Sequence, residues 1–261
     1  EELVANLVRG RFLSGIIVDE SEKDADSKAE NPDGNTEDGN IEEAKEKLQS
    51  ISLARIPFTR HDGQTLPLAP LHWHIADQHG ALVLETMECG NFLYEDPVGV
   101  LTNNPPFPFH QMNLNQYQHL SASPVQNKIA PALDLQRFGE GMGAFGLPGD
   151  CSSPSRYIRA AFYRLNSRCE DQEHSRVAQF FRLLDTVAMP RGSVITEQGR
   201  EDITIYSCCM STATQTYYCK TYESAGICAV SMRPEMMDDK QLHIYDLCQQ
   251  WSPIFIPEQR A

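Results

Sequence analysis

The spacing of apolar residues changes period along this chain, and that constrains its fold more than any single motif. Short runs of strand character fall into two blocks. The first holds Leu71–Ala76, Ala81–Met87, Phe92–Tyr94 and Val98–Leu101, with turn chemistry at Asp77–Gly80, Cys89–Gly90 and Asp96–Pro97. The second holds Ile203–Met210, Thr216–Tyr222, Cys228–Met232 and Leu242–Leu247. Between the blocks lie two helical runs. Ser155–Asn166 is opened by Ser152, Ser153 or Ser155 as N-cap, and Val177–Ala188 follows it. Helices between two blocks of hairpin-connected strands predict a layered domain with antiparallel sheets, not a doubly wound parallel one.

The chain starts differently. Leu3, Val4, Leu7, Val8 and Phe12 recur at helical spacing within Glu1–Ser14. Asp19–Asn40 then carries nine acidic residues against Lys23 and Lys28, which is half of the net charge of −14. With no aromatic residue and two alanines as its only apolar side chains, this stretch cannot bury enough surface to offset its ordering entropy. It reads as a solvated loop. Ile41–Leu48 resumes with a short amphipathic helix that has Glu43 and Lys47 at i,i+4 on its polar face.

Charge and composition exclude whole classes of function. With 22 Lys and Arg against 36 Asp and Glu, and no basic cluster, the field repels nucleic acid. No run approaches the roughly 18 apolar residues of a membrane span. The eight cysteines show no C-x-x-C spacing, which argues against a zinc knuckle and for a reduced, cytoplasmic setting. No metal or cofactor is expected. His72 and His74 share a strand face, but the ligands that a zinc site needs after them stand at the wrong spacing. Counting from Asp33, an EF-hand would need Gly and Glu where Asp38 and Ala44 stand. The glycine run from Gly139 to Gly146 is a weak anion signal, because no clear strand precedes it.

Two positions invite chemistry. Asn103 ends the run Val98–Leu101 and Thr102 just before the breaking stretch Pro105–Pro108. A side-chain amide held there can donate to an oxyanion, or it can simply cap a turn. Arg156 stands in the first turn of a helix, where a cation is disfavoured. It needs a carboxylate or thiolate partner, or else a structural salt bridge to Asp150 or Glu140.

At these residues the chain resembles the choloylglycine hydrolase family, the bile salt hydrolases and penicillin V acylases. The matching text is Leu66–Trp73 with Ile75–Asp77, Pro97–Pro105, Asn113–Tyr117, Gly141–Gly143, Leu147–Asp150 and Ser155–Phe162. Gln179–Phe181, Tyr206–Cys208 and Thr221–Tyr222 continue it in the family's order. The resemblance implies an α+β, four-layer αββα sandwich of N-terminal-nucleophile hydrolases, with two antiparallel sheets between helical layers. It implies amide hydrolysis without cofactor by an N-terminal cysteine, on a conjugated bile salt or, as the alternative, penicillin V. Asn103 matches the family's oxyanion-donating asparagine, and Arg156 its active-site arginine beside the cysteine. Homotetramers are common in the family.

The chain also departs from the pattern. It begins Glu1-Glu2-Leu3, and the family's opening strands, with their cysteine, early Arg and Asp and second asparagine, have no counterpart. Residues 1–261 are expected to be part of a single domain lacking its first strands, about 100 residues, with 19–40 as an acidic loop insertion. On that expectation the fragment alone is inactive, and Cys151, near Arg156, is a passenger. A non-catalytic remnant or binding chain is the reading from another class.

Overall fold

The computed structural model describes residues 41–50, 59, 63, 65, 72–77, 80–87, 89–224, 226–233, 236 and 243–245. The expected helix at 1–14 and the acidic loop at 19–40 lie outside the described residues. The chain divides into two compact units, 1–168 and 169–261.

In the first unit, α1 (Ile41–Ser50) precedes a three-stranded antiparallel sheet of β1 (His72–Ala76), β2 (Ala81–Met87) and β3 (Gly90–Glu95). Central strand β2 is buried at Leu82, Val83, Leu84 and Glu85, which is why it reads as a continuous apolar run. The β1–β2 turn is closed by Asp77, whose main-chain N–H donates to the Gly80 carbonyl and whose carboxylate takes the Gly80 N–H, each at 3.0 Å. The other Asp77 oxygen accepts the N–H of Ile41 at 2.8 Å, tying α1 to this turn.

The two histidines of β1 each meet a buried carboxylate. His72 lies opposite Glu85 in the register, with Nδ1 at 2.6 Å from Oε1, and His74 Nε2 lies 3.0 Å from Asp96 Oδ2. The alternation that hints at metal ligands thus serves to clamp the sheet.

Two sequence expectations fail just after β3. Val98–Leu101 is not a strand. The Asp96 carboxylate accepts the N–H groups of Val98, Gly99 and Val100 at 2.9, 2.9 and 2.8 Å, so these groups serve a carboxylate and not a ladder. Gly99 takes φ +64°, and a Cβ there would stand 2.6 Å from the Arg164 guanidinium. Local β-propensity yields to a nearby charge.

Pro105–Pro108 is not only a break either, for α2 (Phe107–Leu114) begins inside it. Pro108 sits in the first turn, where its missing N–H costs nothing. Both Glu85 oxygens accept the Phe107 N–H, at 3.0 and 3.1 Å, supplying a negative charge at the helix start. One-turn 3-10 helices follow at Asn115–Tyr117 and Met142–Ala144.

Helix α3 (Ser153–Asn166) is capped by Ser152 and starts two residues before the expected Ser155. Its residues from Ser155 to Ala161 are all buried. Leu82, Val83, Leu84, Val100, Leu101, Phe107, Tyr157 and Ile158 form this unit's core. Phe107 lies between Tyr94 (5.9 Å between ring centroids) and Tyr157 (6.5 Å).

In the second unit, α4 (Glu173–Asp185) starts four residues before Val177 and stops at Asp185, short of Ala188. It packs on a second antiparallel sheet, β4 (Tyr206–Ser211), β5 (Thr216–Thr221) and β6 (Cys228–Ser231). Strand β4 begins at Tyr206, three residues after the expected Ile203. At one end of α4, Glu173 accepts from the Tyr218 hydroxyl at 2.9 Å and from Thr214 at 2.8 Å. At the other end Lys220 pairs with Asp185 at 2.5 Å and lies over the Phe181 ring.

Cys219 stands directly opposite Cys208 on one side and Cys228 on the other, a row of three thiols across the sheet. Burial raises the Cys208 thiol and pushes Cys219 up to about 11. Cys219 is buried, Cys151, Cys208, Cys209 and Cys228 are half-buried, and Cys89 and Cys169 are exposed. Of the expected strand Leu242–Leu247, His243–Tyr245 are irregular, and the rest lies outside the described residues. Among the described residues no helix is long and apolar enough to cross a membrane.

Asp96→Ala would orphan three buried N–H groups, at roughly 1–3 kcal/mol each. Denaturant unfolding should show a loss of at least ~3 kcal/mol. An unchanged midpoint would mean that these groups find other acceptors.

Candidate active site

Asn103 belongs to no helix or strand, so side chains from elsewhere must fix it. Three do. Its main-chain carbonyl accepts from His110 Nε2 on α2 at 2.8 Å and from Ser153 Oγ at the start of α3 at 2.6 Å. Its side-chain oxygen accepts from Arg156 Nη2 at 2.6 Å. The neighbouring Thr102 hydroxyl donates to the Ser153 carbonyl at 3.2 Å, adding a second tie to α3.

The Arg156 contact settles which way the amide points. A guanidinium has donors and no acceptor, so only the Asn103 oxygen can face it. The Asn103 NH₂ group is therefore turned away from Arg156 with its two N–H bonds available as donors. A bond from a charged donor is also stronger than a neutral one. Asn103 is half-buried, while Arg156 is only 6% exposed.

The structure thus brings together the two site residues named from sequence, 53 positions apart. It also answers the question of the misplaced cation. Arg156 reaches the Asn103 amide and donates from Nε to the Cys151 carbonyl at 3.1 Å. Glu140, the other candidate partner, is exposed and faces Arg137 at 3.8 Å.

One turn further along α3, Arg159 is buried too, donating from Nη1 to the carbonyls of Pro148 at 2.9 Å and Asp150 at 2.5 Å. Asp150 also ties into the helix start. Its carboxylate accepts the Ser152 N–H at 2.9 Å and the Ser155 hydroxyl at 2.5 Å, and these serine bonds hold it down at about 2. The loop at 148–151 is therefore stitched to α3 by two arginines and one aspartate.

Within the glycine run, Gly143 serves packing. A Cβ at Gly143 would stand 2.1 Å from the Ser123 carbonyl, and the Gly143 carbonyl itself accepts the Ser121 N–H at 2.9 Å. Only glycine lets these two loop segments touch. Among the described residues no cluster of three or more His, Cys, Asp or Glu side chains is gathered as a metal site requires.

Two residues of the arrangement, His110 and Ser153, are not legible as site residues in the sequence. Ser153 appeared there only as a possible helix cap. His110 gave no signal, because the helix that carries it was hidden by the prolines before it.

Residues 36–245 match the model of the linear amide C–N hydrolases, choloylglycine hydrolase family. This chain belongs to that family. It is 41% identical over 207 residues to a bile salt hydrolase/transferase of Lactiplantibacillus plantarum, covering 79% of this chain and 63% of that protein. It is 36% identical to the bile salt hydrolase/transferase of Clostridium perfringens, covering 78% of this chain and 61% of the relative. The chain thus spans somewhat less than two-thirds of the curated relatives it matches.

A solved mutant conjugated bile acid hydrolase from Clostridium perfringens superposes with a TM-score of 0.73 at 34% identity, covering 84% of this chain and 65% of that one. A penicillin V acylase from Agrobacterium tumefaciens shares the fold at a TM-score of 0.53 and 17% identity, covering 74% and 51%. The α+β class implied by the family resemblance is therefore the fold of solved relatives.

Titration checks this packing. Burial holds the His110 imidazole below its ordinary value, outweighing the Asn103 and Pro105 carbonyls and the Glu85 charge that favour protonation. The neighbouring His72 disfavours it as well. The unfolded chain then binds the extra proton below about pH 6.5, so stability falls as pH drops through that value. Asp150 acts lower down, its contribution being complete above its unfolded value of 3.8 and lost as pH falls toward about 2. Denaturant unfolding between about pH 5 and 7.5 should show a positive slope that His110→Gln flattens. Equal slopes in the two proteins would mean that folding leaves the proton affinity of His110 unchanged.

Proposed function

We propose that this chain is part of an amide hydrolase that cleaves the bond between a bile acid and glycine or taurine. One observation carries the reading beyond family membership: the Arg156 guanidinium holds the Asn103 amide by its oxygen and leaves its N–H bonds as donors. That is the polarity an oxyanion hole needs. A turn cap would require no buried arginine.

In the reaction, a cysteine thiolate attacks the amide carbonyl carbon and the carbonyl π electrons move onto oxygen. Asn103 Nδ2–H donates to that oxyanion. Collapse expels glycine or taurine as the amine, which takes a proton, and leaves a thioester that water hydrolyses to the free bile acid. By family resemblance the nucleophile is an N-terminal cysteine whose α-amine is the base, and position 1 here is Glu. Cys151 contributes its main-chain carbonyl to Arg156 and is not the nucleophile in this reading.

The protein is read as cytoplasmic, where cysteines without paired spacing stay reduced. It is read as one choloylglycine hydrolase-like domain that assembles as a homotetramer, as family members commonly do.

The intact mass and N-terminal residue of the protein from its native source test the nucleophile directly. A chain beginning with Cys and about 100 residues longer supports hydrolysis; a native chain beginning at Glu1 abolishes it. In the active protein, Asn103→Ala should lower kcat for release of glycine or taurine by ~10²–10³ with KM little changed. Turnover equal to the parent would remove Asn103 from the oxyanion hole. Faster release of phenoxyacetate from penicillin V than of glycine from a bile salt would reassign the substrate.

A further inference from the structure

An oxyanion donor must stand within about half an ångström of its productive position, and sites carried on loops are the least precise. Asn103 is such a case. Its side chain is aimed by Arg156, but that bond fixes only the oxygen end of the amide. The position of its main chain depends on what holds the carbonyl of the same residue.

Two groups do so. The Ser153 hydroxyl can rotate and is only partly buried. The His110 ring cannot turn freely. It has no exposed surface, stacks on Tyr157 with ring centroids 4.9 Å apart at 21°, and meets Phe109 edge-on at 5.7 Å. Tyr157 is itself fully buried and edge-on to Phe107. The helix that carries His110 starts where Glu85 accepts the Phe107 N–H. A run of fixed contacts therefore leads from the central strand of the first sheet, through α2, to the Asn103 carbonyl.

The ring chemistry agrees with that task. A carbonyl can only accept, so the proton of the neutral ring sits on Nε2. Nδ1 then presents a bare lone pair and has no hydrogen-bond partner among the described residues. Such a ring is a one-way donor, built to hold a carbonyl and not to shuttle protons.

We propose that His110 is a positioning residue for amide hydrolysis: its Nε2–H holds the Asn103 main chain so that the Asn103 side-chain amide meets the developing oxyanion. The proposal rests on the reading of Asn103 as that donor. In this role His110 acts through Asn103 and not on the reacting atoms.

The test uses the complete active enzyme with a glycine-conjugated bile salt as substrate. His110→Met fills the space without a donor, while His110→Gln places an amide nitrogen the same number of bonds from Cβ. His110→Met should lower kcat about 10- to 100-fold with KM little changed, the cost of a small misplacement, and His110→Gln should recover most of that loss. Equal loss in both variants makes the ring a packing element and overturns the proposal. Normal turnover in His110→Met with impaired turnover in Asn103→Ala also overturns it, leaving the oxyanion reading intact. Normal turnover in Asn103→Ala brings down the oxyanion reading itself, and this proposal with it. Should His110→Met fail to fold, the ring ¹⁵N spectrum of the parent near pH 7 decides. A neutral Nε2–H tautomer supports the proposal, and an Nδ1–H tautomer or an imidazolium overturns it.

Discussion

Two carboxylates buried against the first sheet hold both ends of the segment that carries Asn103. Asp96 gathers three successive N–H groups just after β3, and Glu85 takes the N–H that opens α2. Each is also met by a histidine from β1, so neither charge is left bare in a dry place. Everything between Asp96 and Phe107 is suspended from these two points. A loop tied this way can hold a polar side chain in place without regular structure of its own.

Helix α3 addresses the opposite charge. Its N-terminal half is buried on all sides and carries two guanidiniums where the helix dipole disfavours cations. Both direct donors to main-chain carbonyls of 148–151, and Asp150 adds a carboxylate that stays ionised far into acid. This cluster costs desolvation, as buried charge always does. What it secures is a fixed direction for Arg156, and through it the orientation of an amide 53 residues away.

Much of this was legible before any coordinates. The apolar run of β2, the hairpin spacing and the serine cap of α3 follow from local chemistry, and the structure reproduces them within a few residues. Asn103 and Arg156 were legible as oddities, one amide before a proline break and one cation at a helix start. Their contact was not, because nothing local encodes a hydrogen bond across 53 residues. Val98–Leu101 misled for the same reason: its branched side chains do enter the core, but a carboxylate two residues upstream claims the backbone. Proline hid α2, although a helix tolerates proline in its first turn. His110 was hidden with it.

The second sheet sets a different kind of record. Cys208, Cys219 and Cys228 stand side by side across three strands, and Cys209 sits next to them on the opposite face with its thiol pushed up to about 12. Buried thiols that keep their protons are slow nucleophiles, while Cys89 and Cys169 lie open to solvent. Alkylating reagents therefore sort the cysteines: the exposed pair reacts in the native protein, and Cys208, Cys209 and Cys219, whose protons burial holds, react when that sheet opens. The rate at which those sulfurs become labelled is a clock for the unfolding of this one unit, written into the chain without any added probe.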